Sequence, residues 1–98
     1  MTAGRLRSLL RRLGATPERI AFELLQLGIR GEINHAEECP VARYLARHGA
    51  VDPCVDAQRM TCNKNVEIPT PGAVVDFILQ FDDGRWPELA AKPSGGPA

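Results

Sequence analysis

Four side chains in this sequence add up to a nominal Cys3His zinc set: His35, Cys39, Cys54 and Cys62. Structural zinc sites draw their ligands in close pairs from tight turns, which aim two sulfurs at one point. Here fourteen and seven residues separate successive cysteines, so no such pair exists. Alternation adds a second objection, because it puts Cys62 on the core face of a strand and Cys54, between Asp52 and Asp56, on the other. No metal and no cofactor is expected. Three cysteines is an odd number, so at least one thiol stays outside any intramolecular disulfide; in a reducing compartment all three stay reduced.

Cys39 is the one candidate reactive thiol. It precedes Pro40 at the start of a short helix, where free amides and partial positive charge stabilise a thiolate. Glu37 and Glu38 oppose this by repelling the anion. A catalytic dyad of Cys39 with His35 lacks an oxyanion hole and an orienting third residue. Neither a Gly-rich phosphate loop nor a Gly-x-Ser-x-Gly elbow occurs. The paired acids Glu37-Glu38 and Asp82-Asp83 fall in loops or helix ends. The expectation is a protein that is not an enzyme, with no catalytic residue.

Arginine is the other residue type with functional promise. Residues 1 to 14 hold Arg5, Arg7, Arg11 and Arg12 and no acid, although the whole chain balances at zero. The rest therefore carries eight basic against twelve acidic residues, which argues against wholesale wrapping of nucleic acid. The leucines at 6, 9, 10 and 13 make one stripe among these arginines. Such a segment reads as a terminal helix docked on the body or on a second subunit, as a basic arm touching phosphate or an anionic membrane, or as an organelle-targeting peptide. Arg43 and Arg47, four apart, share the wet side of the central helix opposite Val41, Ala42, Tyr44 and Leu45.

These side chains must be positioned by a single domain, since 98 residues support one modest core. The divisions are a basic amphipathic arm or helix at 1–14, one α+β domain at 15–90 and a disordered tail at 91–98. Thr16-Pro17-Glu18 opens a second helix, and Gly28 with Ile29 packed back on Leu24 closes it. Ile20, Ala21, Leu24, Leu25 and Leu27 are its expected buried side. A polar loop pinned by Ile33 follows, then the helix bracketed by Cys39-Pro40 and Gly49. Alternation next places Val51, Val55, Met60, Cys62, Val66 and Ile68 on the inner face of a small antiparallel sheet of two to three short strands. A two-residue turn at Ala57-Gln58 sets Val55 opposite Met60. A loop at Asn63-Lys64-Asn65 sets Cys62 opposite Val66, with Asn65 left-handed. Thr70-Pro71 caps a last helix whose Val74, Val75, Phe77, Ile78 and Phe81 are apolar, and Trp86, Pro87 and Leu89 fold back on the sheet or the second helix. The order is α-α-α-β-β-β-α, with helices two and four covering the sheet.

Cys39-Pro40-Val41-Ala42-Arg43-Tyr44-Leu45, Val66-Glu67-Ile68-Pro69 and Phe77 through Leu89, with its Phe81-Asp82-Asp83-Gly84-Arg85-Trp86-Pro87 run, together resemble a group of short proteins from high-GC Gram-positive bacteria and their phages. The resemblance spans residues 17 to 90. It implies a bacterial, cytoplasmic setting and argues against organelle targeting. The group carries no assigned activity, so no residue role follows. No apolar run is long enough to span a bilayer, and the N-terminus lacks a secretory hydrophobic stretch.

The leading expectation is a small adaptor or regulatory module that binds a protein partner or itself as a homodimer, through Leu6 to Leu13 and the Phe77 to Phe81 helix. The alternative is a winged-helix-like DNA-binding regulator. It would use Arg43, Arg47 and the basic arm, with Lys64 on the wing. Its weak points are a long connection before the central helix and the shortness of that helix. A zinc- or thiol-dependent regulator is the third reading.

Overall fold

Thr2, Thr16 and Cys39 each stand just before a helix, and each side chain accepts a backbone N–H from three residues on: Arg5 at 3.1 Å, Arg19 at 3.1 Å and Ala42 at 3.4 Å. A cap of this kind contributes about 1 kcal/mol. The computed structural model describes residues 1–91; the expected tail, apart from Ala91, lies outside the described residues. It contains α1 (Ala3–Leu13), α2 (Pro17–Leu27), α3 (Pro40–Arg47), β1 (Cys54–Val55), β2 (Arg59–Cys62), β3 (Val66–Pro69), α4 (Gly72–Asp82) and a terminal 3-10 turn (Pro87–Leu89). The fold is α+β with a three-stranded antiparallel sheet ordered β1-β2-β3.

The register follows side-chain alternation. Val55 pairs with Met60, Met60 with Ile68, and Cys62 with Val66. Val55, Met60, Cys62 and Ile68 are all buried. Asp56 holds the first turn by accepting the N–H groups of Gln58 and Arg59, both at 2.8 Å. Those two bonds also lower its carboxyl pKa. In the second turn the left-handed residues are Asn63 and Lys64, not Asn65. Asn63 is recruited there by Val51, whose N–H donates to its Oδ1 at 3.1 Å and whose carbonyl accepts its N–H at 2.7 Å. Val51 is thereby held outside the sheet and is 55 % exposed, contrary to its expected inward place.

Both helix stops expected at glycine are formed. Gly28 is left-handed, with its N–H on the Leu25 carbonyl and that of Ile29 on Leu24. Gly49 repeats the pattern, with Ala50 bonded back to Leu45. The start of α4 differs from expectation. Thr70 does not cap it; its hydroxyl donates to the Asp56 carbonyl at 2.6 Å, tying the end of β3 to the first turn.

Core placement departs from the sequence reading in two ways. On α2, Ile20, Ala21 and Leu24 are buried but Leu25 and Leu27 are each 41 % exposed: Leu25 points about 100° away from Leu24, and Leu27, though on the inward side, is the last residue of the helix. The helices nearest the sheet are α1, against β3, and α3, against β1, while α2 packs on α4, α1, α3 and the terminal turn. The 1–14 segment is accordingly no separate arm: Leu6, Leu9, Leu10 and Leu13 are in the core, and the Leu9 carbonyl accepts the buried Tyr44 hydroxyl at 2.9 Å.

Gly31 sits where three backbone segments converge. A Cβ there would lie 2.3 Å from the Pro40 nitrogen and 2.6 Å from the Glu38 oxygen. Its N–H donates to Leu89 and its carbonyl accepts from Ala91, both at 2.8 Å. Gly31→Ala should destabilise by about 3 kcal/mol, the upper end of overpacking costs, because backbone cannot move aside as a side chain can. Gly72→Ala, whose methyl meets nothing, should change stability by less than about 1 kcal/mol. Urea denaturation of the two variants checks the contrast.

Candidate functional site

The thiols are dispersed. Cys54 pairs with Thr61 on the outer face of the sheet, whereas Cys62 points into the core. Cys39 is buried at the head of α3, and His35 is exposed in the loop before it. Among the described residues no group of His, Cys, Asp or Glu is placed to hold a metal ion.

Cys39 is the N-cap anticipated, but its thiol is not activated. Burial pushes its pKa up to about 11, against smaller lowering contributions from the Ala42 and Val41 amides. The desolvation cost of a thiolate exceeds what two amides return. Burial also raises Cys54 and Cys62. The expected reactive thiol is thus a structural cap. The second histidine is engaged as well, its Nδ1 3.0 Å from the Tyr44 carbonyl and its ring 4.6 Å from that of Tyr44.

Arg43 and Arg47 are committed to the fold. Arg43 donates to the Arg30 carbonyl at 3.3 Å and lies 3.3 Å from Glu38 and 3.7 Å from Glu32. Arg47 donates to the Leu27 carbonyl at 3.0 Å, satisfying the C-terminal end of α2. A recognition helix would need both guanidiniums on phosphate or bases. Here two carboxylates already surround one of them.

Arg5, Arg7, Arg11 and Arg12 are different. All four are exposed on α1, and none forms an ion pair among the described residues. At about 100° per residue, Arg7 and Arg11 fall on one flank and Arg5 and Arg12 on the other, with Gly4 and Ser8 between them on the outward line. The Arg7–Arg11 flank borders a cleft of about 510 Å³ between α1, β3 and α4.

Of the apolar side chains expected to supply a self-association patch, Leu6, Leu9, Leu10, Leu13, Phe77 and Phe81 are at most 3 % exposed and Ile78 6 %, whereas Leu79 of the same helix is 57 % exposed. The buried ones cannot meet a second copy while the domain is folded. Large apolar side chains that do reach solvent are Phe22, Leu25, Leu27, Val51 and Leu79. Among the described residues no helix is long and apolar enough to cross a membrane. Compared with known proteins, the chain matches no family model, no curated sequence and no solved structure.

The buried thiol carries a pH signature. The unfolded thiol ionises near 9.0, while in the fold it holds its proton to about 11. Between those values the native state binds more protons, so stability falls as pH rises, by at most about 1.4 kcal/mol per pH unit. Cys39→Ser keeps a capping oxygen and cannot ionise there. Its stability should decline less steeply than wild type between pH 8 and 11; equal slopes in denaturant titrations would contradict the assignment.

Proposed function

We propose that this protein is a non-catalytic binding module whose outward arginine face on α1 docks on nucleic-acid phosphate. The observation that carries the reading is the four exposed arginines, without an ion pair among the described residues, arranged on both flanks of a small-residue line. A helix with side chains is about 10–12 Å across, close to the width of the B-DNA major groove. Small residues on the outward line allow close approach, and guanidiniums on both flanks match phosphates along both walls. Such contacts position the module and supply affinity; they read no sequence. α1, rather than α3, serves as the docking element in this reading.

The absence of any catalytic constellation among the described residues suits a regulatory or adaptor role. Three unpaired thiols suit a reducing cytoplasm, and the resemblance to proteins of high-GC Gram-positive bacteria and their phages suits a bacterial one. A protein contact is favoured by one separate observation. Phe22 and Leu25, a turn apart on the outer side of α2, are 48 % and 41 % exposed, with the Arg19 guanidinium 5.3 Å from the Phe22 ring centroid. That ridge replaces the buried leucines as the surface for a homodimer.

Fluorescence anisotropy with a labelled duplex tests the first reading. Four phosphate contacts give a slope of log K against log salt of about −3 to −4. Arg5→Gln/Arg12→Gln and Arg7→Gln/Arg11→Gln should each halve that slope, and Arg85→Gln should leave it unchanged. Equal, negligible binding by wild type and the fourfold variant would end the proposal. For the protein contact, sedimentation velocity at high micromolar concentration should show dimer that Phe22→Ser/Leu25→Ser disperses; a wild-type monomer rejects it.

A further inference from the structure

The cleft beside α1 has the character of a small-molecule site. Leu10, Ile68, Pro69, Ala73 and Val74 give it apolar walls, and Arg7 and Arg11 are its only charged lining residues among those described. Its volume of about 510 Å³ lies in the range of ligand pockets, which pair apolar walls with a few placed polar groups. Both guanidiniums are exposed and unpaired among the described residues, so an incoming anion would displace no carboxylate. The backbone is ready as well. The N-cap of α4 is Pro71, whose ring offers no acceptor, so that helix starts on the same cleft without a side-chain cap. The field of that helix end has the sign of the arginines, though it would not define a site alone.

We infer that this cleft binds a small organic carboxylate with an apolar body, its chain against Leu10, Ile68 and Val74 and its carboxylate between Arg7 and Arg11. An inorganic anion would leave the apolar walls unused, and a neutral hydrocarbon would leave the guanidiniums unused. Charge complementarity therefore selects an amphiphilic anion. Guanidinium–carboxylate hydrogen bonds supply orientation, and burial of the chain supplies most of the affinity. The assignment is independent of the nucleic-acid reading, but a bound carboxylate would neutralise one flank of the α1 face.

Decanoate is the probe, with decanol for the body without the charge and acetate for the charge without the body. Backbone NMR of the full chain, titrated at ligand concentrations below self-association, should show saturable shifts centred on Leu10, Ala15, Ile68 and Ala73. Decanol and acetate should each bind roughly tenfold or more weakly. Arg7→Gln/Arg11→Gln should lose roughly tenfold in decanoate affinity with an unchanged melting temperature, and Ala73→Leu, which fills the cleft from α4, should abolish saturation. Arg5→Gln/Arg12→Gln should bind decanoate as wild type does while binding duplex DNA more weakly, which separates the two readings. Equal affinity for decanoate and decanol, shifts spread over the Phe22–Leu25 ridge instead, or no saturation would each overturn the inference.

Discussion

A missing side chain holds this molecule together. At Gly31 the chain leaving α2 passes between the head of α3 and the C-terminal segment, with no room for a methyl group. Bonds to Leu89 and Ala91 run along one side, and on the other Glu32 donates to the Glu38 carbonyl at 2.8 Å. This clasp turns a polar connection into a fixed one. From it the 32–38 segment reaches β1, where the Ala36 carbonyl accepts the Val55 N–H at 2.9 Å. A short edge strand is thereby covered by its own loop, which is one way natural sheets avoid pairing with strangers. The length of that connection, out of proportion for two neighbouring helices, has a structural use.

Most of the secondary structure was legible because its signals are local. Thr16-Pro17, Cys39-Pro40, Gly28 and Gly49 specify helix ends by steric and hydrogen-bonding rules that act within a few residues. The strand register could be read because a one-residue slip would turn Met60, Cys62 and Ile68 out of the core together. What escaped depends on contacts between distant residues. Thr70-Pro71 has the form of a cap, yet the hydroxyl finds the Asp56 carbonyl, fourteen residues away in sequence. Asn63 rather than Asn65 takes positive φ together with Lys64, because Val51 engages its side chain and backbone at once. Gly31, the tightest position of all, looks in the sequence like any glycine in a polar loop.

The candidate site shows the same division. Which residues could carry charge was plain, and so was the wet side of α3. That Arg43 would be enclosed by Glu32, Glu38 and the Arg30 carbonyl, and Arg47 spent on the end of α2, depends on where the 28–38 segment lies. Cys39 illustrates how position and chemistry can separate. The sequence identifies a sulfur at a helix start, where a thiolate is favoured, but only packing reveals that the same sulfur is closed off from water. A helix end activates a thiol when the anion keeps its solvation; removed from solvent, it serves as a weak acceptor for Ala42.

Sheet order separates one group of acids from the arginines of α1. β1 and β3 are the two edges, so whatever packs on one is held apart from whatever packs on the other. The clasped loop brings Glu37 and Glu38 to the β1 side, beside Asp52, and Asp56 and Asp82 border a neighbouring hollow there. α1 lies on the β3 side, where Glu67, the acid of that strand, faces Arg59 at 3.6 Å. The acids of the β1 edge are thus held away from the arginines on α1, and Glu23 of the neighbouring α2 is taken by Arg19 at 3.1 Å. Exposed pairs contribute little to stability, so leaving these four unmade costs the fold almost nothing. What it preserves is a concentration of positive charge on one helix, the feature on which both the proposed docking face and the proposed carboxylate cleft rest.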